Sequence, residues 1–317
     1  MRSKVSFSKT VKEEIATNEY ESVDRLKALL ASFIRINGSL SFKNKETVIN
    51  LKVENAKIAK FIYTTIKHFY GDVASLNYSR RTNLNKSLLY TITVNEKGQF
   101  IIDDLDISFL EGKISKDVVW NDDTIAGYLA GAFLAGGSVN SPATSNYHLE
   151  LSLSSQNYAK WMLHLFNRFT KLNLTPKIVK RRENYVIYLK KSDQISEFLA
   201  LIGATNACLE FESVRVERDT SNSMNRQQNF DFANMKRSFE AGLRQKEKIE
   251  MIDQVIGIEN IRNVNVRTLA RLRLEYESAS LADLASLMSD ELNKEITRSS
   301  VYKWMKKIDE IYERIAK

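Results

Sequence analysis

Apolar and polar positions follow one succession of regimes through the first two-thirds of the chain, and that succession runs through twice. Ile49, Leu51 and Val53 alternate with polar residues, as do Leu149, Leu151 and Leu153. A period of two marks strands with one buried face. Ile58, Phe61, Ile62 and Ile66 instead fall at helical spacing, which predicts a helix over about 55–70 with a counterpart over about 156–170. Another helix opens each copy, over about 22–36 and 123–135. Strand pairs are expected near 73–80 and 87–94, and near 176–182 and 184–190, with a short helix closing each copy. The predicted order is α-β-β-α-β-β-α, repeated over about 22–104 and 123–204 within a domain of residues 21–217, after an N-terminal segment of residues 1–20.

Residue identities support the duplication. Leu30-Ala31-Ser32-Phe33-Ile34-Arg35-Ile36-Asn37-Gly38-Ser39 aligns with Leu129-Ala130-Gly131-Ala132-Phe133-Leu134-Ala135-Gly136-Gly137-Ser138, identical at four of ten positions. With one residue inserted, Ala59-Lys60-Phe61 meets Ala159-Lys160-Trp161, Phe69 meets Phe169, and Arg80-Arg81 meets Lys180-Arg181. The opening helices also carry small residues on one stripe: Gly127, Gly131 and Ala135 are spaced by four, and so are Ala28 and Ser32. Such stripes let two helix backbones approach closely, so the copies are expected to meet through these helices about a pseudo-twofold axis.

Beyond about residue 205 the pattern turns helical. Residues 218–225 are polar and read as a linker, ahead of a helical domain over 226–317 with helices near 226–250, 266–277, 280–288 and 299–315. The last two resemble a helix-turn-helix over about 280–315. Ser280-Leu281-Ala282-Asp283 is a capping-box start, and Leu281, Leu284, Ala285 and Met288 form an apolar face. The expected connector, Ser289 to Ile296, is longer than the three or four residues of the simplest motif. Thr297, Ser299 and Ser300 are candidate N-caps for the final helix, which packs through Val301, Trp304 or Met305, Ile308 and Ile315. Its other face presents Arg298, Ser299, Ser300, Tyr302, Lys303, Lys306 and Lys307. A recognition helix needs this arrangement, with short polar groups at its start to reach base edges and lysines beyond to hold phosphates. An ordinary amphipathic helix with a solvated basic face would carry the same residues.

Charge changes the picture in one respect. The net charge is +8, yet residues 206–317 are neutral, so the whole basic excess lies in the N-terminal two-thirds. Basic chains favour polyanions, of which double-stranded DNA is the expected partner here. Arg80, Arg81, Lys86, Lys177, Lys180, Arg181, Arg182, Lys190 and Lys191 lie on or beside the predicted strand pairs. Among them Arg80, Arg81, Lys180, Arg181 and Arg182 are the candidate phosphate contacts, against the alternative of charges that merely protect a solvated strand edge. Chemistry-bearing residues are otherwise few. One cysteine, Cys208, and three histidines supply neither a disulfide nor a structural zinc site, so no metal and no cofactor is expected. The first residues lack the apolar core of a signal peptide, and no stretch approaches the ~18 apolar residues of a membrane span. A cytoplasmic, nucleoid-associated protein with no membrane contact is expected.

The paired opening helices and the duplicated order resemble the LAGLIDADG motif and fold of homing endonucleases. In that family the motif helices form the interface, the sheets make a saddle for DNA, and an acidic residue at the eighth motif position of each copy binds a divalent metal. Here those positions hold Asn37 and Gly136. Neither offers the anionic oxygens that magnesium requires, so no catalytic residue and no nuclease activity is expected.

Four segments together resemble the WhiA family of bacterial regulators. They are Val5-Ser6-Phe7-Ser8 with Val11-Lys12-Glu13-Glu14-Ile15; Tyr128 to Val139 leading to Tyr147-His148-Leu149-Glu150; Asn225-Arg226, Asn229, Ala233-Asn234 and Lys236; and the terminal helix-turn-helix. Phe230 stands where many members carry cysteine. The resemblance implies an α+β fold, a cleavage-dead LAGLIDADG-like domain followed by an all-α helix-turn-helix domain. It also implies a non-enzymatic transcription regulator linked to cell division, chromosome segregation or sporulation, with RNA polymerase or another regulator as candidate partners. The alternative is a nucleoid-associated or scaffold protein that binds DNA with weak specificity; an active endonuclease fits least. Whether the chain works as a monomer stays open.

Overall fold

A computed structural model describes residues 6–43, 45–80, 88–110, 112–144, 146–169, 172 and 174–316. The chain divides into two units, Met1–Arg218 and Asp219–Lys317.

The first unit contains the duplication as expected. α2 (Val23–Asn37), β1 (Gly38–Lys43), β2 (Glu46–Val53), α3 (Ala56–Tyr70), β3 (Ala74–Arg80), β4 (Leu88–Val94) and α4 (Gly98–Asp104) make the first copy. The second is α5 (Asp122–Gly136), β5 (Gly137–Val139), β6 (Leu149–Leu153), α6 (Gln156–Arg168), β7 (Lys177–Arg181), β8 (Asn184–Leu189) and α7 (Ser192–Leu201). Each copy builds its own antiparallel sheet, in the orders β1-β2-β4-β3 and β5-β6-β8-β7. Register puts Ile49 opposite Val94 and Leu51 opposite Ile92, and this row is fully buried under the helices. In the second sheet Leu149 meets Leu189 and Leu151 meets Ile187, with the same burial.

The two copies join through α2 and α5. Ser22 caps α2, and an Asn121–Thr124 capping box starts α5. A methyl group added at Gly127 would lie 2.3 Å from the Arg25 carbonyl oxygen, and one at Gly131 would lie 2.1 Å from that of Leu29. The stripe therefore does what its spacing predicts: two backbones touch where side chains are missing. Along this seam Arg25 pairs with Asp123 at 2.9 Å, and the hydroxyls of Tyr128 and Tyr158 meet at 2.8 Å in a fully enclosed setting.

Within residues 1–20 lies a helix that the periodicity reading leaves out, α1 (Phe7–Ile15). Ser6 caps it, and Phe7, Val11 and Ile15, four apart, bury one face. It packs on α5, β5 and α3. The Glu14 carboxylate accepts the backbone N–H groups of Asn206 at 2.6 Å and Ala207 at 2.9 Å, at the start of α8 (Thr205–Ile256). An anion at that end satisfies donors that a helix leaves open and complements its dipole.

Residues 218–225 hold the boundary between the two units, as a linker would, but the expected break in helix there is corrected. They lie inside α8, which also begins earlier and ends later than the helix expected over 226–250. Polarity set the expectation, but polarity does not break a helix. No proline falls between Thr205 and Ile256, and the stretch 219–232 is exposed on every side, so it shows no apolar stripe to read.

In the second unit a helix α9 (Val264–Glu275), α10 (Leu281–Leu292) and α11 (Arg298–Ile315) enclose a small core. Leu269, Leu284, Met288, Val301 and Ile308 are at its centre, joined by Ile249 and Ile252 from α8. Arg273 is 1% exposed and donates through Nη1 to the carbonyls of Tyr276 (3.2 Å), Glu277 (3.2 Å) and Ala279 (2.6 Å). Burial lowers its pKa. The guanidinium holds the chain between α9 and α10, and Gly242 of α8 lets that chain close in, since a methyl there would sit 2.0 Å from the Glu277 carbonyl oxygen. Arg273→Met is expected to destabilise the unit by about 2–4 kcal/mol, because buried carbonyls lose their charged donor. A lowered urea midpoint would report it, and an unchanged midpoint would refute it.

Candidate nucleic-acid interface

α11 is positioned by its cap, its buried face and the connector that leads into it. Thr297 caps it, its hydroxyl accepting the Ser300 N–H at 3.3 Å and meeting the hydroxyls of Ser299 and Ser300 at 2.9 and 3.0 Å. Val301, Met305 and Ile308 anchor the buried face, and of the two expected alternatives it is Met305 that is enclosed while Trp304 is half-buried. The connector from α10 is shorter than expected. α10 runs on to Leu292, so only Asn293 to Thr297 intervene, and Asn293 turns the chain in the left-handed region at φ 49°. Asparagine tolerates that conformation, which lets so short a connector redirect the chain into α11. The Ser280–Asp283 capping box opens α10, and the Ser280 hydroxyl and N–H hold the Asp283 carboxyl below its ordinary pKa.

The predicted reading face is brought together as one surface. Arg298, Ser299, Tyr302, Lys303, Lys306 and Lys307 are exposed and Ser300 is half-buried. Lys306 stands 5.2 Å over the Tyr302 ring, which fixes an aromatic and a cation side by side. No carboxylate pairs with Lys303, Lys306 or Lys307 among the described residues, so their charge is available to a polyanion.

On the sheets the basic residues are dispersed. Side chains alternate across β3, and Arg80 falls on the same row as Leu76 and Tyr78, toward the helices at the sheet's edge. Arg81, like Lys86, lies outside the described residues. Lys180 shares the helix-side row of β7 with Ile178, whereas Lys177 and Arg181 lie on the outer row. Arg181 is paired with Glu150 at 2.9 Å, and His148 meets the same carboxylate at 3.1 Å. Burial pushes the Glu150 carboxyl up, but His148 and Arg181 outweigh it and hold the pKa below the ordinary value. Arg182 occupies the turn between β7 and β8 with φ 54° and is exposed. The outer face of the first sheet mixes small polar side chains, among them Ser39, Ser41, Asn50, Thr91 and Thr93, with Lys52 opposite Thr91 and Lys43 opposite Glu46. Asn50 links two of them, donating to Ser41 at 3.1 Å and accepting from Thr93 at 3.3 Å. Sequence reasoning by charge passes over that face, because its signal is alternation of Ser, Asn and Thr with apolar residues.

At the eighth motif positions the Asn37 side-chain oxygen accepts the Lys52 N–H at 3.0 Å, and a methyl at Gly136 would meet the Ser152 carbonyl oxygen at 2.6 Å. Both positions thus face the second strand of their own sheet. Among the described residues no three His, Cys, Asp or Glu side chains are grouped as a metal site would need.

Three family models match in succession: the WhiA N-terminal LAGLIDADG-like domain over residues 24–108, the WhiA LAGLIDADG-like domain over 125–221, and the WhiA C-terminal HTH domain over 224–312. A protein of Bacillus cytotoxicus named probable cell division protein WhiA is 37% identical over 316 residues, covering 98% of this chain and 97% of its own. The chain belongs to the WhiA family. A namesake from Bacillus pumilus is 35% identical over 315 residues with the same coverage. The crystal structure of full-length WhiA from Thermotoga maritima superimposes with a TM-score of 0.59 at 24% identity, covering 98% of this chain and 99% of that one, and shares its fold. In WhiA terms the two sheets are the LAGLIDADG-like part and α10–α11 lie in the helix-turn-helix domain. No helix among the described residues is long and apolar enough to cross a membrane.

Proposed function

We propose that the chain is a DNA-binding transcription regulator, acting in cell division, chromosome segregation or sporulation, that holds duplex DNA without cutting it. The exposed face of α11 carries this reading: three lysines without a carboxylate partner among the described residues follow a capped, hydroxyl-rich helix start on a helix-turn-helix pair. Arg298, Ser299, Ser300 and Tyr302 are assigned to base edges, and Lys303, Lys306 and Lys307 to phosphates. Family membership supports it, since relatives named as cell division proteins span the same length. Asn37 and Gly136 in place of carboxylates support the absence of cleavage. Arg80, Arg81, Lys180, Arg181 and Arg182 are assigned to additional phosphates.

A second reading, nucleoid-associated binding with little sequence preference, is favoured by the placement of the whole +8 excess in the first two-thirds. A mobility-shift titration of the full chain with duplexes selected from random sequence, with and without magnesium, separates the readings. The regulator reading expects a preferred duplex bound about 1,000-fold or more better than competitor, in line with specific binders, and no nicked product. Equal affinity for all duplexes would install the second reading, and magnesium-dependent nicking would refute the absence of cleavage.

A further inference from the structure

Beside the eighth motif positions lies a cleft of about 560 Å³, formed where α1, the end of α2, β2 and the end of α5 converge. Lys9, Lys12 and Lys52 line it, with Asn37, Ser8 and Glu54. Lys12 is the unusual member. Only part of its side chain reaches solvent, its ammonium stands 5.8 Å from the Phe133 ring centre, and no carboxylate or hydrogen-bond acceptor reaches it among the described residues. Burial lowers its pKa to about 8, so at neutral pH the desolvated group still carries its charge. A desolvated cation that meets only an aromatic ring is costly, and an anion would complete its site.

The surrounding charges favour an anion. Lys52 is exposed at the mouth, Lys9 leans on Glu13 at 3.7 Å, and Glu13 is itself held by Lys57 at 2.8 Å. Glu54 is the one carboxylate among the lining residues. The Asn37 oxygen is committed to the Lys52 N–H, which leaves its amide NH2 as a donor, and α1 has no acidic residue in its first turn. Volume narrows the ligand. About 560 Å³ exceeds the needs of a halide or lone sulfate and suits a mononucleotide. Lys12 is half-buried among the lining residues, a setting that favours a small ligand entering the cleft over a phosphate presented on a rigid duplex.

We propose that this cleft binds a small phosphate-bearing molecule of nucleotide size, with Lys12, Lys52 and the Asn37 amide on its phosphate. The site belongs to the first unit and does not rest on the DNA-binding reading. The test is calorimetric titration of the full chain with ATP, AMP and inorganic phosphate, repeated on Lys12→Met and on Asn37→Asp. The expected result is saturable binding of at least one nucleotide, weakened tenfold or more in both variants. Lys12→Met keeps the length of the side chain and removes a desolvated charge, so it should melt no lower than the parent. Asn37→Asp keeps the shape and sets a negative charge against the phosphate. Absence of nucleotide binding by the parent, or equal binding by the parent and both variants, overturns the proposal. So does a result in which only duplex DNA binding responds to Lys12→Met, since the cleft would then serve the DNA backbone.

Discussion

Gly131→Val should cost the first unit about 3 kcal/mol or more of its stability at 25 °C. A β-carbon at this position meets the Leu29 carbonyl oxygen at 2.1 Å, its carbon at 2.9 Å and the Leu29 Cα at 3.0 Å. All three are backbone atoms of a helix, so no rotamer change relieves the overlap. α2 and α5 must move apart, and their flanks are filled by Leu29, Leu30, Phe33, Leu129, Ala130 and Phe133, none more than 1% exposed. Separation by even a fraction of an ångström opens gaps along that row, and interiors packed at crystal density lose dispersion contacts quickly. Overpacking typically costs about 1–3 kcal/mol, and a clash against backbone belongs at or above the top of that range. Valine adds a further cost of a few tenths of a kcal/mol for its restricted rotamer in a helix. Domains of this size are stable by about 5–15 kcal/mol, so the loss is a large share of the total. Urea denaturation followed by circular dichroism reads it directly. Val23→Ala, at the exposed start of α2, is the control and should shift the midpoint little. A Gly131→Val protein with the parent's midpoint would mean that the two copies do not meet along this stripe.

The second large effect concerns α11. Replacing Lys303, Lys306 and Lys307 together by glutamine is expected to lower affinity for the preferred duplex by about two to three orders of magnitude at about 0.1 M salt. It should also reduce the slope of log affinity against log salt by about three, because each released phosphate contact contributes about 0.9 to that slope. All three side chains are exposed, so folding should be nearly unaffected apart from the ~0.5–1 kcal/mol of the Lys306–Tyr302 contact. Changes at Ser299, Ser300 or Tyr302 should act differently, relaxing preference among sequences while leaving the salt slope in place. If the triple variant keeps the parent's slope, α11 does not lie along the phosphates, and the basic N-terminal unit becomes the DNA-binding surface.

The duplication was legible because it repeats. Alternation is weak evidence in one strand, but Ile49, Leu51 and Val53 recurring as Leu149, Leu151 and Leu153 with a shared helix before and after fixes both the elements and their order. The glycine stripe was legible for a simpler reason, since spacing of four has one geometric meaning on a helix. What escaped reading was built from distant pieces or lacked periodicity. α1 has only three apolar anchors, Phe7, Val11 and Ile15, too short a run to stand out before its burial is known. The exposed stretch of α8 has no face at all. Arg273 looks like any surface arginine until its three carbonyl partners are in view. The cleft around Lys12 draws on residues near 8, 37, 52 and 135, and nothing local in any of those segments announces a shared cavity.

Joining the two copies in one chain releases each from having to match the other. A dimer of identical subunits must present the same groups on both sides of its axis, and its target must be a palindrome. Here the seam of α2 and α5 separates a sheet whose outer face bears Ser39, Ser41, Asn50, Lys52, Thr91 and Thr93 from one bearing Glu150, Lys177, Arg181 and Tyr188. The motif ends differ as well, an amide on one side and a bare backbone on the other. A duplex laid across that seam would meet two unlike halves, so it would be held in one orientation with a defined direction along its length.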